Sequence, residues 1–93
     1  MLDLDGLMKI SEYRMCLETE PVTYESTIRK IAIDEFFRRI DNGLLEPIEC
    51  AYTLYLTNAH AADMCENGSN REAFNTFADE MQFIIDILTN YYL

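Results

Sequence analysis

His60 is the only histidine in this chain of 93 residues, so any histidine chemistry must run through it. One helical turn away stand Leu56, Thr57, Asp63 and Met64. Asp63 has the i,i+3 spacing that can orient an imidazole, and the thiol of Cys16 would complete a His–Asp–Cys set if the fold brought a distant segment alongside. No local signature marks a cysteine nucleophile. The reading adopted is a partly exposed, solvated histidine that is neither catalytic nor a zinc ligand.

Carboxylates are abundant, at seventeen Asp and Glu, so their presence alone means little. A general acid has to be held where its pKa is shifted, usually in a pocket. Glu72, Asp79 and Asp86 recur every seven residues on what reads as the wet face of one helix, where carboxylates stay ionised and catalyse nothing. There is no Gly-rich phosphate loop, nucleophile elbow or H-E-x-x-H motif. The stretch from Asp63 to Glu72 holds acids and a glycine but lacks the oxygen spacing of a calcium loop. Three glycines leave little material for an active-site loop. The chain is expected to be no enzyme, with no catalytic residue, no cofactor and no metal.

The net charge of −10 points the same way. It disfavours direct contact with nucleic acid or an anionic membrane and leaves two readings, a basic protein surface as partner or solubility alone. Residues 1–43 carry nine acids against six bases, whereas residues 44–93 carry eight acids against Arg71 alone. Arg29, Lys30, Arg38 and Arg39 cluster in the second segment, but Arg38 and Arg39 each follow an acid by four residues, as on a solvated helical face. Cys16, Cys50 and Cys65 are odd in number and lack a CxxC pair. On one helix Cys50 and Cys65 would stand about 22 Å apart, too far to bridge. Reduced thiols, an acidic N-terminus and no apolar run of membrane-spanning length lead to a cytoplasmic expectation.

The elements that must position these residues are helices. Gly and Pro punctuation at Glu20-Pro21, Asn42-Gly43 and Asn67-Gly68-Ser69 cuts the chain into four segments. The first, Asp5 to Glu18, mixes helical spacing at Leu7, Ile10 and Leu17 with strand-like alternation at Tyr13, Met15 and Leu17. Helix is preferred because no partner strand is evident. The second runs from Thr23 as N-cap to Asn42, with Gly43 at C′. Glu25–Arg29, Asp34–Arg38 and Glu35–Arg39 are potential i,i+4 ion pairs along it. Its apolar residues cover more than half its circumference, so it is either central or covered on a second side by another chain.

Pro47 opens the third segment, where alanines late in the apolar stripe would let another helix approach. The fourth begins with a capping box of Ser69 and Glu72 and carries a stripe through Phe74, Phe77, Ala78, Met81, Ile84, Ile85, Leu88 and Tyr92. Phe83, Ile87 and Tyr91 form a second seam at i, i+4 and i+8. That seam is either covered by the first segment or an interface.

The expected architecture is all-α, a small three- to four-helix bundle forming a single domain over residues 1–93. The functional expectation is a non-enzymatic acidic inhibitor that binds the basic nucleic-acid surface of a host protein, a defence nuclease or transcription protein. Small acidic helical proteins of this composition are common among those encoded by phages and mobile elements. Glu72, Asp79, Glu80, Asp86, Glu46 and Glu49 would supply the field, and Phe83, Ile87 and Tyr91 the apolar anchor. The alternative is a homodimer or larger homo-oligomer with a structural, adaptor or small-ligand-sequestering role.

Overall fold

Among the described residues the chain folds as four helices, α1 (Leu4–Thr19), α2 (Tyr24–Asp41), α3 (Pro47–Met64) and α4 (Gly68–Tyr92). The computed structural model describes residues 4–43 and 46–92, apart from the side chains of 4 and 90–92. Of the three- and four-helix alternatives, the four-helix bundle is the one adopted, and the ambiguous first segment is a helix. Its helical spacing wins over its alternation because Ile10 and Leu17 are fully buried at i,i+7, while Met8 and Met15 face out.

Local chemistry sets most of the boundaries. The hydroxyl of Thr23 accepts from the Ser26 amide at 3.0 Å, and the Ser26 hydroxyl accepts from the Thr23 amide at 2.8 Å. This reciprocal box starts α2. The helix stops at Asn42, followed by Gly43 at φ 69°, a left-handed conformation that costs glycine nothing. Pro47 opens α3, where its missing N–H would have lacked a partner anyway.

The start of α4 differs from the sequence expectation. Ser69 and Glu72 do not form the cap. The side-chain oxygen of Asn67 accepts from the amides of Ser69 at 2.9 Å and Asn70 at 3.1 Å, so the helix begins two residues earlier than a Ser69 cap would place it. Asparagine is at least as good an N-cap as serine, and Gly68 sits in the first turn without obstruction. Arg71 then reaches back to the Cys65 carbonyl at 2.6 Å, tying the α3–α4 turn together.

The core is built from Ile10 and Leu17 of α1, Ala32, Ile33 and Phe36 of α2, Cys50, Ala51 and Leu54 of α3, and Met81, Ile84, Ile85 and Leu88 of α4. Both α2 and α4 touch all three other helices, so α2 is central, although Tyr24 and Ile31 on its wide apolar face stay more than half exposed. The most extensive interface joins α3 to α4, with buried alanines at 62 and 78 permitting a close approach. At 1.5 Å per residue α4 runs about 37 Å, close to the 39 Å long axis of the molecule. No helix among the described residues is long and apolar enough to cross a membrane.

Candidate functional site

A polar cluster interrupts the apolar packing where α1, α2 and α4 meet. Glu80 lies in the middle of α4, three residues after Phe77 and four before Ile84, within its apolar stripe. It is only 4% exposed. Burial of a carboxylate costs several kcal/mol unless it is paired and hydrogen-bonded. Two helices meet that need. The Tyr13 hydroxyl on α1 donates to Glu80 Oε1 at 2.7 Å, and Arg29 Nε on α2 donates to Glu80 Oε2 at 3.0 Å. Arg29 Nη2 also donates to the Tyr13 oxygen at 2.6 Å, closing a triangle. Arg29 lies over the Tyr13 ring, 5.9 Å from its centroid, and Glu20 approaches it at 4.0 Å.

The titration behaviour follows from this arrangement. Burial, followed by the bond to Glu80, raises the Tyr13 phenol well above its ordinary value, so it stays protonated. Burial also raises Glu80, against the opposing pull of the Tyr13 hydroxyl and the Arg29 guanidinium. Burial disfavours the charge on Arg29, but its bonds to Tyr13 and Glu80 more than compensate and raise its pKa. The three groups direct their hydrogen bonds at one another. Their evident work is to fasten α1 to α2 and α4.

Beside the triangle opens a cleft of about 300 Å³, lined by Tyr13, Glu25, Arg29, Thr76, Asp79, Glu80 and Phe83. The Phe83 ring packs against Tyr13 with centroids 4.7 Å apart and planes tilted by 60°, yet Phe83 remains 42% exposed. Phe83 is one of the residues that line the cleft.

The residues singled out in the sequence are distributed as follows. Glu72, Asp79 and Asp86 are exposed along α4, and Asp86 accepts from Gln82 at 3.0 Å. Glu80 is not part of that exposed row; it is buried and its charge is met inside the chain, so it supplies no outward field. Glu46 precedes α3 and Glu49 sits in its first turn, at the far end of the α3–α4 hairpin from Glu72. In the second seam, Ile87 is half-buried against the core and Phe83 is partly covered by α1. The Tyr91 side chain lies outside the described residues.

His60 is exposed on α3, and among the described residues no group of three or more His, Cys, Asp and Glu could hold a metal ion. Cys16, Cys50 and Cys65 are free thiols. Burial raises the pKa of Cys50, whose sulfur lies 3.7 Å from the Phe36 carbonyl oxygen.

Sequence reasoning missed Tyr13, Arg29, Glu25 and Thr76 as a group. The usable signal was Glu80 itself, a carboxylate on an apolar stripe, which demands a cation from another element. Comparison of the chain with protein-family models, with curated proteins and with solved structures found no match.

Proposed function

We propose that this protein is an acidic binding module that acts by occupying a basic surface of a protein partner, without chemistry of its own. The target envisaged is the nucleic-acid-binding face of a host defence nuclease or transcription protein, blocked in the cytoplasm by an inhibitor of the kind phages and mobile elements encode.

One observation carries the reading: the disposition of the charges. Arg14 pairs with Asp34 at 2.6 Å, Arg29 with Glu80 at 3.0 Å, and Arg38 and Arg39 both pair with Glu35. Arg71 is bonded to the Cys65 carbonyl. Every arginine is thus engaged within the chain. Glu25, Glu72, Asp79 and Asp86 face outward, with no cation in ion-pair range among the described residues. Their unneutralised field would attract a basic surface and speed its encounter.

The test is capture from the native host with wild type and with a Glu72→Gln/Asp79→Asn/Asp86→Asn variant. The expected partner is a basic nucleic-acid-binding protein that the variant retains poorly and that nucleic acid displaces. A partner held equally by both forms and indifferent to nucleic acid would contradict the proposal.

A homo-oligomeric structural, adaptor or ligand-sequestering protein is the second reading, favoured by a different observation. Tyr52, Leu56 and Met64 are exposed apolar residues along one row of α3, with the exposed His60 between the last two. A second copy could cover it. Concentration-dependent light scattering that responds to Leu56→Glu would favour this reading; a monomer at all concentrations would remove it.

A further inference from the structure

We infer that the cleft between α1, α2 and α4 seats an arginine side chain of the basic partner, an inference that rests on the binding role proposed above. The cleft supplies both things a guanidinium requires. Phe83 lines the cleft and is 42% exposed, and aromatic rings attract cations through their quadrupole. Glu25 and Asp79 present carboxylates that no in-chain cation neutralises among the described residues. The third carboxylate, Glu80, is already matched by Arg29, so the lining keeps a net negative charge.

The chain already holds one guanidinium beside this cleft, fixed by Glu80 and the Tyr13 hydroxyl. Arg29 lies over the ring of Tyr13, the partner of Phe83 in the aromatic pair. A second guanidinium against Phe83 would repeat that cation–ring contact on the other member of the tilted pair. Other occupants fit less well. An anion would be drawn by Arg29 but would meet two free carboxylates, and an apolar ligand would have to desolvate both. A volume of about 300 Å³ is at the small end for ligand sites, enough for one side chain.

The experiment is an NMR titration of the whole ¹⁵N-labelled chain with a blocked Gly-Gly-Arg-Gly-Gly peptide and, in parallel, with nona-arginine and with spermidine. The expected result is that the single-arginine peptide shifts the amides of Thr76, Asp79 and Phe83. Its affinity should fall about tenfold in Glu25→Gln/Asp79→Asn, and a comparable loss should follow Phe83→Leu. Glu12→Gln/Glu18→Gln removes the same two charges elsewhere and should change affinity less than about twofold. Circular dichroism checks each fold; should Phe83→Leu unfold, the two carboxylate pairs still decide.

Equal weakening by both charge-removing pairs overturns the proposal, because net charge alone would then explain binding. Tighter binding of spermidine than of the peptide overturns the assignment to a protein side chain. Nona-arginine that binds in a salt-dependent way but ignores Glu25→Gln/Asp79→Asn overturns the cleft and leaves the acidic binding role standing. Failure of every probe to bind overturns both.

Discussion

The hydroxyl of Tyr13 donates a 2.7 Å hydrogen bond to the buried carboxylate of Glu80, joining α1 to α4 across 67 residues of sequence. Arg29 completes the set from α2. Apolar packing from α1 rests chiefly on Ile10, Leu17, Leu7 and Tyr13, so this polar tie is a substantial part of what holds the first helix in place. It also shapes the cleft, because Tyr13 supports one side of the Phe83 ring.

Removal of the carboxylate alone leaves Arg29, whose side chain is 30% exposed, without its main partner. Glu80→Ala should cost about 2–3 kcal/mol, below the full penalty for a buried pair because Arg29 can still reach water and Glu20. Tyr13→Phe should cost roughly 1–2 kcal/mol. Denaturant unfolding of both single variants and the double gives the coupling, expected at about 0.5–3 kcal/mol. Additive losses would mean that the 2.7 Å contact contributes nothing of its own.

Asn67→Ala should destabilise the protein by about 0.5–2 kcal/mol, since it strips two α4 amides of their acceptor. Ser69→Ala should be close to neutral. Thermal melts of the two variants decide which residue caps the helix, and the opposite order would return the cap to Ser69.

Glu35 and Glu80 should respond to acid in opposite directions. Hydrogen bonds from Arg38, then Arg39, hold the Glu35 carboxyl at about 2, below its ordinary 4.5. The folded value is depressed, so its contribution is complete above about 4.5 and is lost as pH falls from there toward 2. The Glu80 value is raised instead, chiefly by burial. Its ionisation therefore opposes folding: the related stability is present below the ordinary carboxylate range and is lost as pH rises through the raised value. Urea unfolding of Glu35→Gln and Glu80→Gln against pH should give difference curves of opposite slope. Parallel curves would contradict the assignment of one carboxylate to a pair and the other to burial.

The second seam should divide between its members. Ile87→Glu places a charge against the core and should destabilise by several kcal/mol or unfold the chain. Phe83→Glu should leave the fold largely intact, because that ring is 42% exposed. Circular dichroism on the two single variants separates them, and equal tolerance of both would make the seam a surface throughout.

The helices, their order and most of their ends were legible because they depend on neighbouring residues. Thr23, Gly43 and Pro47 each act within a few positions, and periodicity alone placed Ile10 and Leu17 on one face. The ion pairs were not legible, for the complementary reason. Glu25–Arg29 and Asp34–Arg38 have ideal helical spacing, yet Arg29 turns to Glu80, Asp34 takes Arg14 from α1, and Arg38 takes Glu35. An exposed i,i+4 pair contributes only about 0.3–0.5 kcal/mol. A buried carboxylate in want of a cation easily outbids that. Of the local pairs only Glu35–Arg39 forms as spacing suggested, at 2.9 Å. The cleft escaped notice because its walls come from three helices, and no single stretch of sequence contains it.

The central claim is that outward carboxylates drive association with a basic protein surface. The measurement that tests it most directly is the association rate of the captured partner with wild type and with Glu72→Gln/Asp79→Asn/Asp86→Asn, followed from low to high salt. The account predicts a wild-type rate that falls steeply as salt shortens the screening length to about 8 Å and below. It predicts a slower rate and a shallower salt slope for the variant, with both forms converging at high salt. Rates that coincide for the two proteins and stay flat across the salt range would contradict it.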